Sequence, residues 1–498
     1  MKKILLLTQL LFSSIIYSQT SGNNLFNENT LHEIRFNLVD TLSFENSEEY
    51  QMVNISIDNN TLDSIGFKKK GNISSYSSPN KFGIKVKTNK YVSGKKYDGI
   101  KEFTLHMNFE DPSFIREKLT YDLCNEIGLN SLRTAFVKVY INDIYWGVYT
   151  LVEGKDEKYK NNYGSRDLDA IESLDFGDMC YISNDPNSYN FEQNGFNPTY
   201  ILENGNASTA WPRFSKMIDK ANNSNDINYL DTVSKYLNLE HFFKYQAINV
   251  YLLNSDSYIG FKGNQIYVFD TINQLWQILP WDFNASFGSW NTNTMEPSTY
   301  PIIPNSISNG CIAEKINTIQ TLKNYYMDGM CDLFQILNDT SSYFEKIDFY
   351  KSQIQEAVYT DYRKHITNTE FDDAFEEGFQ SIFNENKPNL KTFIKLRNTV
   401  IQNGLIDNGY NCNSINNILE MPDQEITIFP NPTNGFIKIS HPLNFTINNI
   451  KVIDQIGKTV LISNSVNDKI DLSNIEKGLY FLYFELDGQI KKHSFIKF

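Results

Sequence analysis

The chain is poor in the residues that build thiolate metal sites and zinc-dependent hydrolases. Its 498 residues include five cysteines and six histidines. Cys124, Cys180, Cys311, Cys331 and Cys412 form no CxxC and no metal-ligand spacing. None of the histidines lies near a GxSxG or HExxH pattern, so neither a serine hydrolase nor a zincin is supported. Positive charge is also short. Lys and Arg number 45 against 59 Asp and Glu, a net charge of −14 and a pI near 5.0. That balance argues against nucleic acid or an anionic membrane surface as the main partner. Past the first 18 residues no stretch approaches 18 consecutive apolar residues, so a mature chain carries no transmembrane anchor. What the chain does have is core material: 41% hydrophobic and 14% aromatic residues, enough for two or three packed domains.

The first 18 residues have the form of a signal peptide. Lys2 and Lys3 supply the positive segment, residues 4–17 a short apolar run, and Ser18 a small residue for cleavage. In an exported chain some cysteines could be oxidised, and Cys311 with Cys331 is one conceivable pair. Cys124 lies in a helical pattern and reads as a small packed hydrophobe. Strand-like segments follow at 31–39, 52–57, 64–88 and 101–107, the third interrupted by a Gly/Ser-rich loop (residues 71–78). Asp111 is a fitting N-cap and Pro112 a fitting first residue for a helix whose apolar stripe is Ile115, Leu119, Leu123 and Ile127, with Gly128 as its stop. Residues 134–142 and 145–153 alternate as a hairpin about Asn142-Asp143. Residues 154–230 are polar and give no clear element. Helical patterns return at 228–253 and dominate 311–405. After a break at 411–424, residues 425–498 are short strands with an Asp487-Gly488 turn, which argues for a small β-sandwich.

Two aspartates carry the chemistry. In residues 254–288 Asp256 sits in a loop, Asn264 follows, two apolar strands form a hairpin, and Asp282 ends the second. This is the order in which a protein kinase places an Asp that orients the acceptor hydroxyl, an Asn that binds metal and a second Asp that chelates metal against the nucleotide phosphates. A hard cation on phosphate oxygens needs oxygen ligands, which these residues supply. Read singly, Asp256 is turn chemistry and Asp282 a cap. Lys70, Lys85, Lys87 and Lys101 all lie on or beside expected strands, and one of them would supply a fixed positive charge to the phosphates. Lys101, on the strand before the helix, is ranked ahead of Lys70. Lys85 and Lys87 read as one solvated strand face, and Glu117, off the apolar stripe, reads as the helix partner of the lysine or as a surface glutamate. Arg116 flanks the stripe and could pair with a carboxylate in the cleft, and Glu153 is an acidic connector after the hairpin. Gly71 and the serines after it could cradle phosphates or form an ordinary hairpin loop. Trp146 and Trp281 read as core.

Residues 64–290 resemble the CotH family of secreted, kinase-like proteins. The matching segments are KGNISS at 70–75, DPSFIREKLTYDL at 111–123, VYINDIYWGVYTLVE at 139–153, NSDSYIG with Asn264, and PWDFNASFG at 280–288. The resemblance implies an α+β fold: an atypical protein-kinase-like domain over residues 19–410, with an N-lobe at about 25–153 and a C-lobe at about 154–410, before the small all-β sandwich. It implies phosphate transfer from ATP, with Mg²⁺, to Ser or Thr of secreted or surface proteins. Asp256 would be the catalytic Asp, Asn264 and Asp282 the metal residues, and Lys101, Lys70, Lys87, Glu153 and Arg116 candidates for nucleotide contact. This chain departs from the family pattern at Gly263 and at Asn284, where a second acid is often found. The alternative is a non-catalytic, pseudokinase-like surface protein for adhesion or matrix binding. The segments FPNPTNG at 429–435, VIDQIGKTV at 452–460 and IDLSNIEKGLYFL at 470–482, with Lys497, resemble the C-terminal sorting domain of type IX secretion cargo. That implies passage through the periplasm to the cell surface or the medium, with the type IX machinery as a partner.

Overall fold

A computed structural model describes residues 21–38, 49–70, 81–174, 176–190, 200–290, 295–381, 385–412, 427–440, 447–454, 459–465, 469–486 and 489–498. The expected signal peptide, the Gly71 loop, most of the 411–424 linker and the Asp487-Gly488 turn lie outside them. The chain divides into two units, Met1–Cys412 and Asn413–Phe498.

The first unit begins with seven strands: β1 (His32–Asn37), β2 (Gln51–Ile57), β3 (Asn60–Lys70), β4 (Gly83–Lys87), β5 (Glu102–His106), β6 (Thr134–Ile141) and β7 (Ile144–Glu153). They close into a barrel in the order β1-β2-β3-β4-β5-β7-β6. The closing pair, β1 with β6, is parallel, and every other pair in the barrel is antiparallel. Alternation sends Ile34, Phe36, Ile55, Phe67, Ile84, Val86, Phe103, Leu105 and Leu151 into one shared core. The β6–β7 hairpin turns on Asn142 and Asp143 as expected, both with left-handed backbone (φ 49° and 61°), which matches the strand twist.

The polar face of the same strands matters more for function. In register, Lys68 lies opposite Lys85 and Lys70 opposite Gly83; Lys85 lies opposite Thr104 and Lys87 opposite Glu102. Partners across a ladder share a face, so Lys70, Lys85, Lys87, Glu102, Thr104 and His106 form one outward polar stripe. Two helices border it: α1 (Arg116–Glu126) after β5, and α2 (Lys155–Tyr163), which packs on β5 after β7.

The start of α1 corrects the expectation. The helix opens at Arg116, not Pro112, because Asp111 reaches over a turn: its carboxylate accepts from the Ser113 N–H at 2.9 Å and from the Arg116 N–H at 2.9 Å. Asp111 still satisfies the first helical donor, but from five residues back. Residues 154–230, which carry no clear signal, hold α2, β8 (Ala170–Ser173), β9 (Tyr200–Asn204) and α3 (Ala207–Asn223). The Pro212 inside α3 breaks its propensity pattern, although Ala210, Phe214, Met217, Ile218 and Ala221 are buried. The hairpin β10 (Gln265–Asp270) and β11 (Leu275–Pro280) extends this into a sheet of order β11-β10-β8-β9.

The remaining long helices are α4 (Leu239–Tyr251), α5 (Gln320–Asn338), α6 (Thr340–Tyr359) and α7 (Leu390–Asp407). Between α6 and α7 the two-residue strands β12 (Phe379–Gln380) and β13 (Asn386–Lys387) pair with each other. α5 packs on α4 and α7. Asn238 caps α4 by accepting from His241 N–H, and Asn389 caps α7 by accepting from Thr392 N–H. Disulfides join Cys180 to Cys311 and Cys331 to Cys412, which excludes the pair Cys311–Cys331; Cys124 is free and buried. The helical part is tied to the barrel by a buried ion pair. Lys81 Nζ lies 2.7 Å from Asp361 Oδ2 and donates to Val148 O at 2.8 Å.

Among the described residues the regular elements of the second unit are strands: β14 (Thr427–Phe429), β15 (Phe436–Ser440), β16 (Ile447–Asp454), β17 (Thr459–Ser465), β18 (Ile470–Asp471), β19 (Gly478–Leu486) and β20 (Gln489–Lys497). They form sheets of order β14-β15-β18 and β17-β16-β19-β20 around Ile437, Ile450, Val452, Leu472, Leu482 and Phe484. At this level an α+β body and a small all-strand unit agree with expectation. Among the described residues no helix is long and apolar enough to cross a membrane.

Candidate functional site

The hairpin β10–β11 sets the geometry. Its last ladder pair is Gln265 with Pro280, so Asn264 and Trp281 leave the hairpin side by side and Asp282 follows. Asn264 (φ 52°) and Asp282 (φ 54°) both hold left-handed backbone, which Asn and Asp tolerate better than other side-chain-bearing residues. Asn264 Nδ2 donates to Asp256 Oδ2 at 2.7 Å. The loop carrying Asp256 is bonded in turn to the segment after Asp282: Gly288 N–H donates to Leu252 O at 3.1 Å, and Ser255 Oγ donates to Trp290 O at 2.8 Å. Two loops at one hairpin end therefore carry all three residues of the Asp–Asn–Asp series.

Asp282 looks across to the polar stripe of the barrel. Ligand atoms of His106, Glu117 and Asp282 all lie within 4.8 Å of one another. His106 Nδ1 is 2.8 Å from Glu117 Oε1, and Lys70 Nζ is 2.8 Å from His106 Nε2. Helix α1 supplies Glu117 and is pinned to the Asp282 segment: Asp282 N–H donates to Tyr121 Oη at 3.2 Å, and Thr120 Oγ1 lies 2.7 Å from Ser286 Oγ. His106 and Glu117 are buried, while Lys70 and Asp282 are half-buried.

Burial sets the electrostatics. Desolvation pushes the Glu117 carboxyl up, to about 8, and the Asp282 carboxyl up as well; the Lys70 ammonium opposes both. Desolvation pushes Lys70 down, against the pull of Asp282 and Glu117. It pushes His106 down to about 3, with the nearby ammonium of Lys70 adding to the effect. A second layer of charge surrounds Trp281. Lys70 and Lys155 lie over its ring at 4.3 and 4.4 Å, and Lys155 pairs with Glu203 at 2.5 Å and Glu172 at 3.8 Å.

The structure sorts the candidates. Lys70 lies in the cluster with Asp282. Lys101 precedes β5, falls on the opposite strand parity from His106, and makes no ion pair among the described residues. Lys87 and Lys85 are not a free solvated face; both pair with Glu102, at 2.9 and 3.0 Å. Glu153 is held by Arg133, Nη2 to Oε1 2.6 Å, at the end of β7. Arg116 is buried, paired with Asp111 at 2.5 Å and set over the Phe379 ring. Glu117 is not a surface residue: it is 1% exposed. Trp281 is buried as expected but faces charge rather than a purely apolar core. Asn284 donates to Phe109 O at 3.0 Å, a structural use of that position. His106, Lys155 and Glu172 were not anticipated. The alternation Glu102-Phe103-Thr104-Leu105-His106 held the signal for the first, since it puts His106 on the face opposite two core residues.

His106, Glu117 and Asp282 each turn one ligand atom to a common point, and the two desolvated carboxylates offer the oxygen ligands that a hard divalent cation takes. The Lys70 ammonium, which makes no ion pair among the described residues, suits an anion next to such an ion.

Residues 67–401 match the family model described as CotH kinase protein. Residues 427–497 match the secretion system C-terminal sorting domain, which indicates type IX export to the cell surface or the medium. Among curated proteins the chain is similar to inner spore coat protein H of Bacillus subtilis (strain 168), 27% identical over 204 residues, which is 40% of this chain and 53% of that protein. It is also similar to invasin CotH2 of Rhizopus delemar, 25% identical over 194 residues, 37% of this chain and 32% of that protein. The chain thus spans about half the length of the first relative and about a third of the second. The family match covers more than half of the chain and includes each of Lys70, His106, Glu117, Asp256, Asn264 and Asp282; the chain belongs to the CotH kinase protein family.

Proposed function

We propose that the chain is an exported, two-lobed, atypical protein kinase that moves the γ-phosphoryl group of Mg²⁺·ATP to a Ser or Thr hydroxyl of secreted or surface proteins. The supporting observation is the meeting of barrel and hairpin residues: Lys70 and Glu117 from one side, Asp282 from the other, with Asp256 and Asn264 at the same hairpin end. In this reading the barrel with α1 is the first lobe and the helices with the β10–β11 sheet the second. Asp256 accepts the hydrogen bond of the acceptor hydroxyl and takes its proton as the new O–P bond forms and the bond to the β-phosphate oxygen breaks, with ADP leaving. Asn264 and Asp282 hold Mg²⁺, and Lys70 holds a phosphate oxygen in place of Lys101. Bound Mg²⁺ supplies neutralisation of the phosphate oxygens. Export by type IX secretion would bring phosphorylation into the periplasm, before release.

The test is a thermal shift on the full chain with ATP, with and without Mg²⁺. A Mg²⁺-dependent rise that is lost in Asp282→Ala, together with self-phosphorylation lost in Asp256→Ala, supports the kinase. No shift at millimolar ATP and no phosphate transfer favours the second reading, a non-catalytic surface-binding protein. One observation speaks for that reading: a relative carries the name invasin.

A further inference from the structure

We propose that His106 is a positioning residue that stands between Lys70 and Glu117 and takes the place of a direct lysine–glutamate ion pair. This rests on the kinase reading of the same site. An ammonium group has only donors to offer, so at 2.8 Å from Lys70 Nζ the His106 Nε2 atom must accept. The Thr104 hydroxyl, 3.2 Å from the same nitrogen, can donate to it too. The ring proton therefore sits on Nδ1, which donates to Glu117 Oε1 at 2.8 Å. The imidazole is neutral and polarised in one direction, from glutamate to lysine. A second ring proton would place an N–H against the ammonium.

The surroundings keep the ring in this orientation. His106 lies on the outward face of β5, opposite Thr150 of β7 in the ladder. Its ring meets Trp281 edge-on, centroids 5.5 Å apart and planes at 90°. Lys70 lies over the same indole. Among the described residues Lys70 makes no ion pair with Glu117 within 4.0 Å, so the ring is the connection between them. The arrangement fixes where the ammonium sits while leaving its remaining donors uncommitted to carboxylate, as a phosphate oxygen requires. The Glu117 carboxylate, which also takes a backbone hydrogen bond from Phe283, belongs to the same cluster as Asp282.

The experiment combines a tautomer measurement with two variants of the full chain. Histidine ring ¹⁵N shifts, with the His106 signals assigned by their absence in His106→Gln, should show the proton on Nδ1 without any nucleotide. In Mg²⁺·ATP turnover, read as self-phosphorylation, His106→Leu should lower kcat roughly 100-fold, the loss expected when a phosphate-contacting group shifts by about 1 Å. KM for ATP should stay within about threefold of wild type, because Lys70 and the metal residues remain. His106→Gln, whose amide can accept from Lys70 and donate to Glu117, should recover kcat to within about tenfold of wild type. A proton on Nε2, unchanged turnover in His106→Leu, or a His106→Gln variant no better than His106→Leu would each overturn the proposal. Should His106→Leu fail to fold, the tautomer and His106→Gln carry the test. A wild-type chain that neither binds Mg²⁺·ATP nor transfers phosphate defeats the kinase reading instead, and the tautomer, measured without nucleotide, still decides whether His106 bridges the pair.

Discussion

Replacing Lys81 with Met isolates what holds the barrel to the helical part. Lys81 is 1% exposed and Asp361, just past α6, is 1% exposed. Apart from Lys81, the Asp361 carboxylate accepts, among the described residues, from the uncharged backbone donors Val148 N–H at 3.3 Å and Arg363 N–H at 2.9 Å. Removing one member of a buried pair leaves the other charge desolvated and unpaired, a loss of about 3–5 kcal/mol, whereas removing both charges is often close to neutral. Lys81→Met should therefore cost about 4 kcal/mol, Asp361→Asn less, since the lysine keeps Val148 O, and the double variant less than Lys81→Met alone. The assay is urea unfolding followed by tryptophan fluorescence. All five tryptophans (146, 211, 276, 281 and 290) precede residue 413, so the signal reports the first unit by itself. Trp146 sits beside the pair, with the Arg363 guanidinium 3.8 Å over its ring. A Lys81→Met cost below about 1 kcal/mol, or single costs that simply add in the double variant, would refute the claim that this pair is desolvated and coupled.

Other changes probe neighbouring claims. Gly147→Ala should destabilise by at least about 2 kcal/mol in the same assay, because φ is +115° and an added Cβ would lie 2.0 Å from Asp361 Oδ2. Replacing Cys331 and Cys412 by Ser opens a loop of sequence separation 81 and should cost about 2–5 kcal/mol by the same measurement. His241 is held neutral by burial, its pKa pushed down to about 4, with its Nε2 proton donated to Leu129 O. Because the folded value lies below the unfolded one near 6.5, the unfolded chain binds the proton first as pH falls. Stability should then drop between pH 6.5 and 4 and level off below, by about 3 kcal/mol from this group, and the difference between wild type and His241→Gln should show that slope. Deleting residues 425–498 should leave the protein in the periplasm by immunoblot of cell fractions, and normal release of the truncation would remove the sorting role.

Local pattern carried the fold a long way. The β6–β7 hairpin was legible because Asn142-Asp143 sits between two alternating runs, and both residues adopt the left-handed backbone that such a turn requires. Closure of the barrel was not legible. Alternation says which face of β1 is buried but not which strand lies beside it, and its parallel partner β6 is about a hundred residues away. The sheet around β8 and β9 was hidden for a different reason. Its strands are four and five residues long, set in polar sequence, and are held by pairing to one another and to β10. The disulfides join residues brought together by packing, which spacing along the chain cannot show.

The site divides along the same line. Asp256, Asn264 and Asp282 stand close in sequence around one hairpin, so their order could be read directly. The barrel side depends on strand parity. Phe103 and Leu105 point into the core, which turns Glu102, Thr104 and His106 outward and leaves Lys101 on the other parity; Lys70, opposite Gly83, shares the outward face with Lys85 and Lys87. Which of Lys101 and Lys70 shares a face with His106 is thus a matter of strand parity, and a one-residue slip moves every side chain to the other face. The surface alternative for Glu117 failed for the helical version of this reason. An apolar stripe marks the face of α1 that meets hydrophobic core, and a residue off the stripe is taken as solvated. Here the flank of the helix meets a second polar face instead, and Glu117 is buried by charge rather than by hydrocarbon. Wherever two polar faces close on each other, hydrophobic periodicity reports surface on both sides, and a functional cleft is the place where that rule must fail.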